Sequence, residues 1–149
     1  MIAVLQRVSE ASVTIAGDLK SKIGLGLLIL VGIEEADNEE DISWLAKKLV
    51  NMRIFSDEED KMNLSLMDVE GEMLVVSQFT LHALTKKGNR PSYIKAARPE
   101  MAIPLYENFI EHLRTFGRPV GTGEFGADMK VGMINDGPVT IIIDSKNRQ

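Results

Sequence analysis

The sequence feature that most constrains the fold is the continuously apolar segment Leu27–Val31, which lies between Gly26 and Gly32. Because side chains alternate between the two faces of a strand, an uninterrupted apolar run is typical of a strand buried on both faces. Such a strand needs other elements packed over each side of its sheet. A chain of 149 residues can supply them, since a chain of this size buries about 68–70% of its unfolded surface. We therefore expect one compact domain over residues 1–149.

Residues 38–51 change to a helical period. Asn38 is a suitable N-cap, and the acidic first turn and basic last turn match the helix dipole. The apolar residues fall three and four positions apart, which places them on one helix face: Ile42, Leu45, Ala46, Leu49 and Val50. This pattern predicts a helix over residues 38–51.

A second helical pattern covers Ala102–Leu113, with Pro99 in its first turn and Gly117 just beyond its end. Pro104 lies inside this pattern and has no backbone N–H to donate. The second helix is therefore expected either to begin near Ile103 or to bend at Pro104.

The remaining patterned segments are rich in β-branched residues and predict strands: Ile2–Val8, Ser12–Ala16, Met73–Val76, Val131–Ile134 and Val139–Ile143. The last two flank a turn-like sequence, so we expect them to pair with each other. No repeat, linker or low-complexity segment divides the chain. Together these elements predict an α+β domain with a curved, barrel-like, mainly antiparallel sheet and two segregated helices.

The composition excludes several classes of protein. The chain has no Cys, which rules out a disulfide scaffold, a thiolate zinc site and a cysteine nucleophile. The N-terminus lacks the basic region of a signal peptide, and the longest apolar run, Leu25–Ile33, is too short to span a bilayer. A soluble cytoplasmic protein with no membrane association is expected.

The charge is unevenly placed along the chain. A formal net charge of −5 argues against a protein that binds nucleic acid across its whole surface. However, no acidic residue occurs between His82 and Pro99, while five basic residues do: Lys86, Lys87, Arg90, Lys95 and Arg98. This segment is either a solvated basic loop or a small phosphate-binding patch, and the sequence leaves both interpretations open.

Few side chains offer catalytic chemistry. The only imidazoles are His82 and His112, and His112 lies off the apolar face of its predicted helix, as a solvated residue would. His82 follows Thr80 by two positions, so a nucleophile–base pair on one strand face is conceivable. No spacing of His, Asp and Glu predicts a metal site, and no cofactor is predicted.

The dipeptide Asp136-Gly137 stands between two β-rich segments and is a strong hairpin signal. Pro138 complicates this interpretation, because proline cannot donate to a strand ladder and a Gly-Pro bond can be cis. The spacing by itself favours a plain turn.

Two segments carry a resemblance to a known family. Residues 77–81 read Ser-Gln-Phe-Thr-Leu and residues 135–140 read Asn-Asp-Gly-Pro-Val-Thr. With both segments intact, the chain resembles the D-aminoacyl-tRNA deacylase family, whose members hydrolyse the ester joining a D-amino acid to the 3′ end of tRNA. The agreement continues in further segments: Ile54–Asp57, Lys61–Leu64, Arg90–Ser92 and Phe125–Met129. The resemblance implies a hydrolase whose substrate is the 3′ end of aminoacyl-tRNA, including misplaced glycine.

The resemblance also implies a homodimer, in which Gly137-Pro138 of one subunit enters the pocket of the other. The Gly-Pro bond is cis in the family, and its carbonyl oxygens exclude an L side chain by a steric clash. The residues implied to line the ester and adenosine side of the pocket are Ser77, Gln78, Phe79 and Thr80. The wall around the terminal adenine is implied to come from Phe125 and Met129, with a backbone contact from Ala96 or its neighbour Ala97.

For the chemistry, the family is thought to use the 2′-hydroxyl of the substrate to orient the attacking water. The resemblance then implies that backbone N–H groups and the Thr80 hydroxyl stabilise the oxyanion. Tyr93 stands where members often have Phe, and Phe79 separates the chain from an animal sister group with a trans Gly-Pro bond. Two alternatives remain open. One is a non-enzymatic nucleic-acid-binding module of the same fold, and the other is an esterase that forms an acyl-enzyme at Thr80.

Overall fold

The computed structural model describes residues 1–149 as eight strands, two α-helices and one 3₁₀ turn over Phe79–His82. The strands are β1 (Ile2–Ile15), β2 (Asp18–Ile23), β3 (Gly26–Gly32), β4 (Phe55–Ser56), β5 (Met62–Leu64), β6 (Glu72–Ser77), β7 (Val120–Thr122) and β8 (Met129–Asp144). The helices are α1 (Glu39–Asn51) and α2 (Pro99–Arg114). Neither helix has the length and apolar character that a membrane crossing would require.

Six strands form one curved, mixed sheet in the order β2-β1-β3-β6-β7, with β8 also paired to β1. Strand β1 pairs antiparallel with β2, β3 and β8, whereas β6 pairs parallel with β3 and β7. The Ser21 hydroxyl on β2 donates to the Thr122 carbonyl on β7 at 2.6 Å, so the ends of the sheet approach each other and nearly close a barrel. The α+β class is confirmed. The sheet is mixed because the crossover through α1 makes β6 parallel to β3.

Strand β3 is buried on both faces, as its apolar run predicts. Leu27, Ile29 and Val31 pack in one core cluster with the apolar faces of α1 and α2. Leu28 packs in a second cluster inside the barrel, with Leu30 at its border. Burying side chains of this size stabilises the fold by about 1.5–3 kcal/mol each. The β3 strand thus forms the shared wall between the barrel interior and the helical layer.

Both helices occur where the sequence predicts them. The Asn38 side chain accepts from the Glu40 and Asp41 N–H groups, and the Asp41 carboxylate accepts from the Asn38 N–H, which makes a capping box. Helix α2 begins at Pro99 and contains Pro104, so it does not start near Ile103. The proline is tolerated because it removes only one hydrogen bond close to the N-terminus of the helix.

The prediction that Val131–Ile134 and Val139–Ile143 pair with each other is wrong. Both belong to the single strand β8, which runs antiparallel to β1 along its whole length. The register shifts twice near Val8, and residues 136–139 therefore bulge from the strand instead of reversing it. The continuous partner β1 explains the outcome, because it offers ladder hydrogen bonds on both sides of the bulge.

The carboxylate of Asp41 ties the start of α1 to the C-terminal segment. It accepts hydrogen bonds from the Ser145 hydroxyl at 2.6 Å and from the Lys146 ammonium at 3.0 Å. Burial raises the pKa of Asp41, but these bonds and the bond from the Asn38 backbone outweigh burial and lower its pKa from 3.8 to about 2.

A folded pKa below the unfolded one means that Asp41 stabilises the fold fully above pH 3.8, and that this contribution is lost as pH falls towards 2. At about 1.4 kcal/mol per pKa unit, the full loss is roughly 2.5 kcal/mol. Urea unfolding of the parent and of Asp41→Asn at pH 6 and pH 2.5 measures it. The free-energy difference between the two proteins should shrink at pH 2.5, and a constant difference would contradict this assignment.

Candidate functional site

Strand β6 delivers the segment Ser77–Leu81 to the carboxyl end of the sheet, as predicted. The last ladder bond runs from the Gln78 N–H to the Val31 carbonyl at 2.8 Å, and the chain then enters the 3₁₀ turn. The turn packs closely on β3, because a Cβ at Gly32 would lie 2.9 Å from the Gln78 carbonyl oxygen and 3.0 Å from the Leu81 Cβ. Only glycine at position 32 permits this approach, so the turn is held in a fixed place.

The hydroxyl of Thr80 is already engaged on one side. The Gln78 side-chain amide donates to the Thr80 Oγ1 at 2.6 Å. A threonine hydroxyl has one proton to donate and two lone pairs that accept. Because Gln78 occupies an acceptor position, the proton of Thr80 stays free to donate to a ligand. Thr80 therefore has the properties of an oxyanion donor.

His82 does not form the conceivable pair with Thr80. Both residues lie in the 3₁₀ turn and not on a strand, so the two-residue spacing no longer places them on one face. The His82 side chain is buried, and its Nε2 makes no hydrogen bond. Without a base that accepts the Thr80 proton, the geometry lacks the arrangement that activates a hydroxyl nucleophile.

A cleft of about 300 Å³ lies beside this turn. Its floor is formed by Val76 and Ser77–Phe79, and its opposite wall by Phe125–Met129 together with Val131. Five of the predicted site residues thus meet in one cleft: Ser77, Gln78, Phe79, Phe125 and Met129. The lining combines the polar side chains of Ser77 and Gln78 with aromatic and apolar ones, which suits a ligand that has one polar and one flat apolar part.

The far wall is supported from behind by Tyr106 of α2. Its hydroxyl donates to the Val75 carbonyl at 3.0 Å, and its ring lies 6.0 Å from the ring of Phe125 at a tilt of 56°. Burial raises the pKa of Tyr106 to about 12, so the hydroxyl keeps its proton at neutral pH. The sequence indicates Tyr106 only as part of a helix face, since its contact with Phe125 arises from the fold.

Phe79 lines the cleft, whereas Ala96 lies outside its lining. The Phe79 ring is 53% exposed and meets the Tyr93 ring edge-on, with 5.1 Å between centroids. Ala96 forms an isolated bridge with Glu34, and its N–H donates to the Tyr93 carbonyl at 3.0 Å. Ala96 is not among the residues that line the cleft, while Phe79 offers an accessible aromatic face there.

The second segment, Asn135–Thr140, contains a bulge that hydrogen bonds of the Asn135 side chain hold in place. The Asn135 amide donates to the Gln6 side chain at 3.0 Å and to the Val139 carbonyl at 3.1 Å, while its oxygen accepts from the Val139 N–H at 2.8 Å. Between Asn135 and Val139, Gly137 and Pro138 are exposed, and the peptide bond between them is cis.

Arg7 is a positioning residue that the sequence patterns did not indicate. Its Nε donates to the Asp136 carbonyl at 2.7 Å and its Nη1 donates to the Ile54 carbonyl at 2.8 Å. A Cβ at Gly137 would lie 3.1 Å from its Nη2. The guanidinium therefore sets the position of the bulge. The sequence feature that could have indicated this role is the position of a charged residue, Arg7, within the β-branched segment Ile2–Val8.

The two segments of one chain do not meet. No residue of 135–140 lines the cleft beside Phe79, although Met129 and Val131 of the same strand do. Gly137 and Pro138 lie instead on the exposed middle of β8, which pairs only with β1. No group of three or more His, Asp or Glu side chains is arranged to hold a metal ion.

Sequence comparison identifies relatives over the whole chain. Residues 4–144 match the sequence model of a family described as "D-Tyr-tRNA(Tyr) deacylase". A D-aminoacyl-tRNA deacylase of Flavobacterium psychrophilum is 65% identical over 150 residues, with 100% of both chains covered. A D-aminoacyl-tRNA deacylase of Bacteroides thetaiotaomicron is also 65% identical over 150 residues, with the same coverage.

Two solved structures share the fold. One, described as "c-Myc DNA Unwinding Element Binding Protein", has a TM-score of 0.92 and 44% identity, and the match covers 97% of this chain and 98% of that chain. The other, described as "Structural Analysis of a probable eukaryotic D-amino acid tRNA deacylase", has a TM-score of 0.82 over 95% of this chain and 97% of that one. Its identity of 17% relates it by fold alone.

Proposed function

The chain belongs to the D-Tyr-tRNA(Tyr) deacylase family, and from that membership we propose how its site hydrolyses D-aminoacyl-tRNA and rejects the L-form. It is a hydrolase that acts on the ester bond between the amino acid and the tRNA. Residues 1–149 act as one deacylase domain, in the cytoplasm where aminoacyl-tRNA is made. The observation that carries the proposal is the Thr80 hydroxyl, which accepts a hydrogen bond from Gln78, a residue that lines the cleft, and keeps its own proton free to donate.

The cleft suits the terminal adenosine of tRNA. Unpaired bases are recognised by stacking on aromatic side chains, and Phe79 and Phe125 provide such rings. Met129 adds a flexible apolar contact to the same wall. Ser77 and Gln78 lie on the polar floor, where they contact the ribose and the ester, and Ala96 adds a backbone contact at the rim.

The reaction needs water, an oxyanion donor and a leaving group. Water attacks the ester carbonyl, and the Thr80 hydroxyl and nearby backbone N–H groups donate to the oxyanion that forms. The bond from the carbonyl carbon to the 3′-oxygen then breaks, the 3′-oxygen takes up a proton, and the amino acid leaves as a carboxylic acid. The substrate's own 2′-hydroxyl orients the attacking water, since His82 is buried and its Nε2 makes no hydrogen bond. No metal takes part.

Selection between enantiomers requires a second subunit. The Gly137-Pro138 segment is exposed and does not reach the cleft of its own chain. Strand β8 also has an unpaired edge and carries exposed apolar side chains, among them Ile134 at 54% and Ile142 at 72% exposed. A long exposed edge strand of this kind has unpaired backbone groups, and native proteins cover such an edge with another element or chain. In the homodimer, each subunit inserts its Gly-cisPro segment into the partner's cleft.

The inserted carbonyl groups leave no space for an L side chain at the chiral carbon. Discrimination therefore works by a clash with the wrong substrate. Glycine has no side chain and escapes this clash, so glycyl-tRNA is a second substrate.

Hydrolysis of matched D- and L-tyrosyl-tRNA by the purified protein tests this function. The D-ester should be hydrolysed at least about 100-fold faster than the L-ester, in buffer with or without a chelator, because a clash in a closed site costs several kcal/mol. Equal rates on the two esters would contradict the chiral filter, and loss of rate in chelator would contradict the metal-free mechanism.

A second candidate function is a non-enzymatic nucleic-acid-binding module. The observation that favours it is the similar structure at 44% identity, which is described as a DNA unwinding element binding protein. Binding to duplex DNA neutralises many phosphates and so predicts a steep salt dependence, whereas binding of an RNA end predicts a shallow one. A salt titration with each nucleic acid distinguishes the two.

A further inference from the structure

One surface loop plays no part in the chemistry of ester hydrolysis. Residues 84–92, called the basic arm, form a loop that is closed at its base by two hydrogen bonds. The Leu84 N–H donates to the Ser92 carbonyl at 2.8 Å, and the Ser92 N–H donates back to the Leu84 carbonyl at 3.0 Å. Every residue from Leu84 to Ser92 is exposed. The arm therefore projects into solvent as a closed loop.

The arm carries cations that the protein itself does not neutralise. Lys86, Lys87 and Arg90 form no ion pair with any carboxylate of the chain. Some exposed cations elsewhere are paired, for example Lys61 with Glu59 at 3.1 Å and Arg114 with Glu111 at 2.5 Å. In a chain of net charge −5, the clustering of three unpaired cations within residues 86–90, in a segment with no acidic residue between His82 and Pro99, indicates an anionic ligand.

The base of the arm is attached to the candidate active site. The Ala83 N–H donates to the Thr80 carbonyl at 3.1 Å, just before the arm begins. Just after it ends, the Tyr93 ring meets the Phe79 ring at the rim of the cleft. Both ends of the arm are thus fixed to the segment Phe79–Thr80, which places the base of the arm beside a residue that lines the cleft.

We propose that Lys86, Lys87 and Arg90 bind backbone phosphates of the tRNA acceptor end while its terminal adenosine occupies the cleft. This inference rests on the proposed function, because it takes the cleft as the site of the 3′ end. An RNA end fits better than a duplex lying across the surface, since the acidic block Glu34–Asp41 follows β3 and Glu34 bridges to Ala96 near the arm.

The arm should contribute a measurable part of the salt dependence. Each phosphate contact with a single strand lowers the logarithm of the binding constant by about 0.7 per tenfold rise in salt concentration. Three contacts therefore account for a slope of about 2. Removing the three cations should weaken tRNA binding and flatten this slope by the same amount.

The test compares the parent with the triple variant K86Q/K87Q/R90Q. The control variant K20Q/K22Q/K47Q removes three exposed cations that also lack ion pairs, so it changes the net charge equally. Binding of uncharged tRNA is measured by fluorescence anisotropy across a salt series, with duplex DNA of similar length as a competitor. In parallel, kcat/KM is measured on D-tyrosyl-tRNA and on the D-tyrosyl ester of adenosine, which has no backbone phosphate.

The proposal predicts that the arm variant binds tRNA at least about tenfold more weakly at low salt, with a slope lower by about 2, while the control changes neither. The ratio of kcat/KM on tRNA to kcat/KM on the adenosine ester should fall by a similar factor. An unchanged slope, or an equal loss on both substrates, would overturn the proposal, as would duplex DNA that displaces tRNA at equal concentration. If the parent hydrolyses neither ester but the arm still determines tRNA binding, the proposed function fails and the arm assignment stands.

Discussion

Replacing Gly137 by Ala should lower the ratio of D- to L-tyrosyl-tRNA hydrolysis by on the order of 100-fold. A Cβ at this position would lie 2.8 Å from the Val139 Cγ2, 2.9 Å from the Val139 nitrogen and 3.1 Å from the Arg7 Nη2. The backbone φ of +150° is also one that side chains rarely adopt. The segment must therefore shift, and a displacement of about 1 Å in a closed site can cost about 100-fold in rate.

The measurement is kcat/KM on both esters, together with the unfolding midpoint of each protein. Gly24→Ala is a matched control, because a Cβ there would meet nothing closer than the Glu72 Oε2 at 3.8 Å. We expect the control to keep the parent ratio. If Gly137→Ala remains folded and keeps the parent ratio too, the bulge is only a structural feature of β8.

Removing the 2′-hydroxyl of the terminal adenosine should slow hydrolysis by on the order of 100-fold or more, because positioning of the attacking water is lost. This expectation follows from the contacts of Thr80. Its hydroxyl accepts a hydrogen bond from Gln78 and donates none to a basic side chain. The substrate is D-tyrosyl-tRNA that ends in 2′-deoxyadenosine, and its single-turnover rate is compared with that of the ordinary ester.

Binding of the deoxy substrate serves as the control for this comparison. Its dissociation constant should stay within about tenfold of the ordinary one, since one exposed hydrogen bond contributes about 0.5–1.5 kcal/mol. A deoxy substrate that reacts at the normal rate would assign the activation of water to the protein. Thr80→Val would then be the next variant to examine.

Local patterns in the sequence predict the elements of the fold but not how they pair. The helix over 38–51 is predictable because its cap and its apolar period act within a few residues. The pairing of β8 is not predictable, because Asp136-Gly137 is a hairpin signal and only the long partner β1 overrides it. The parallel pairing of β6 with β3 likewise depends on a crossover that no short segment encodes.

The candidate site shows the same limit. Ser77, Gln78, Phe79, Phe125 and Met129 were predicted from the family resemblance, and the structure gathers them in one cleft. Arg7 and Tyr106 were not predicted, because each acts through a contact with a residue far away in sequence. The contributions of Thr80, Ala96, Gly137 and Pro138 to the site remain predictions, since none of the four lines the cleft of its own chain.

A mixed dimer tests the central claim that the partner's Gly137-Pro138 completes each cleft. One subunit carries Gly137→Ala and the other carries Phe79→Ala, and the pair is isolated by two different affinity tags. If the segment is donated across the dimer, one cleft holds both defects and the other holds neither. The mixed dimer should then show about half of the parent activity with the full preference for the D-ester, as one unaltered site in two requires. If both clefts are instead defective and the D preference is lost, the segment acts within its own subunit and the account is contradicted.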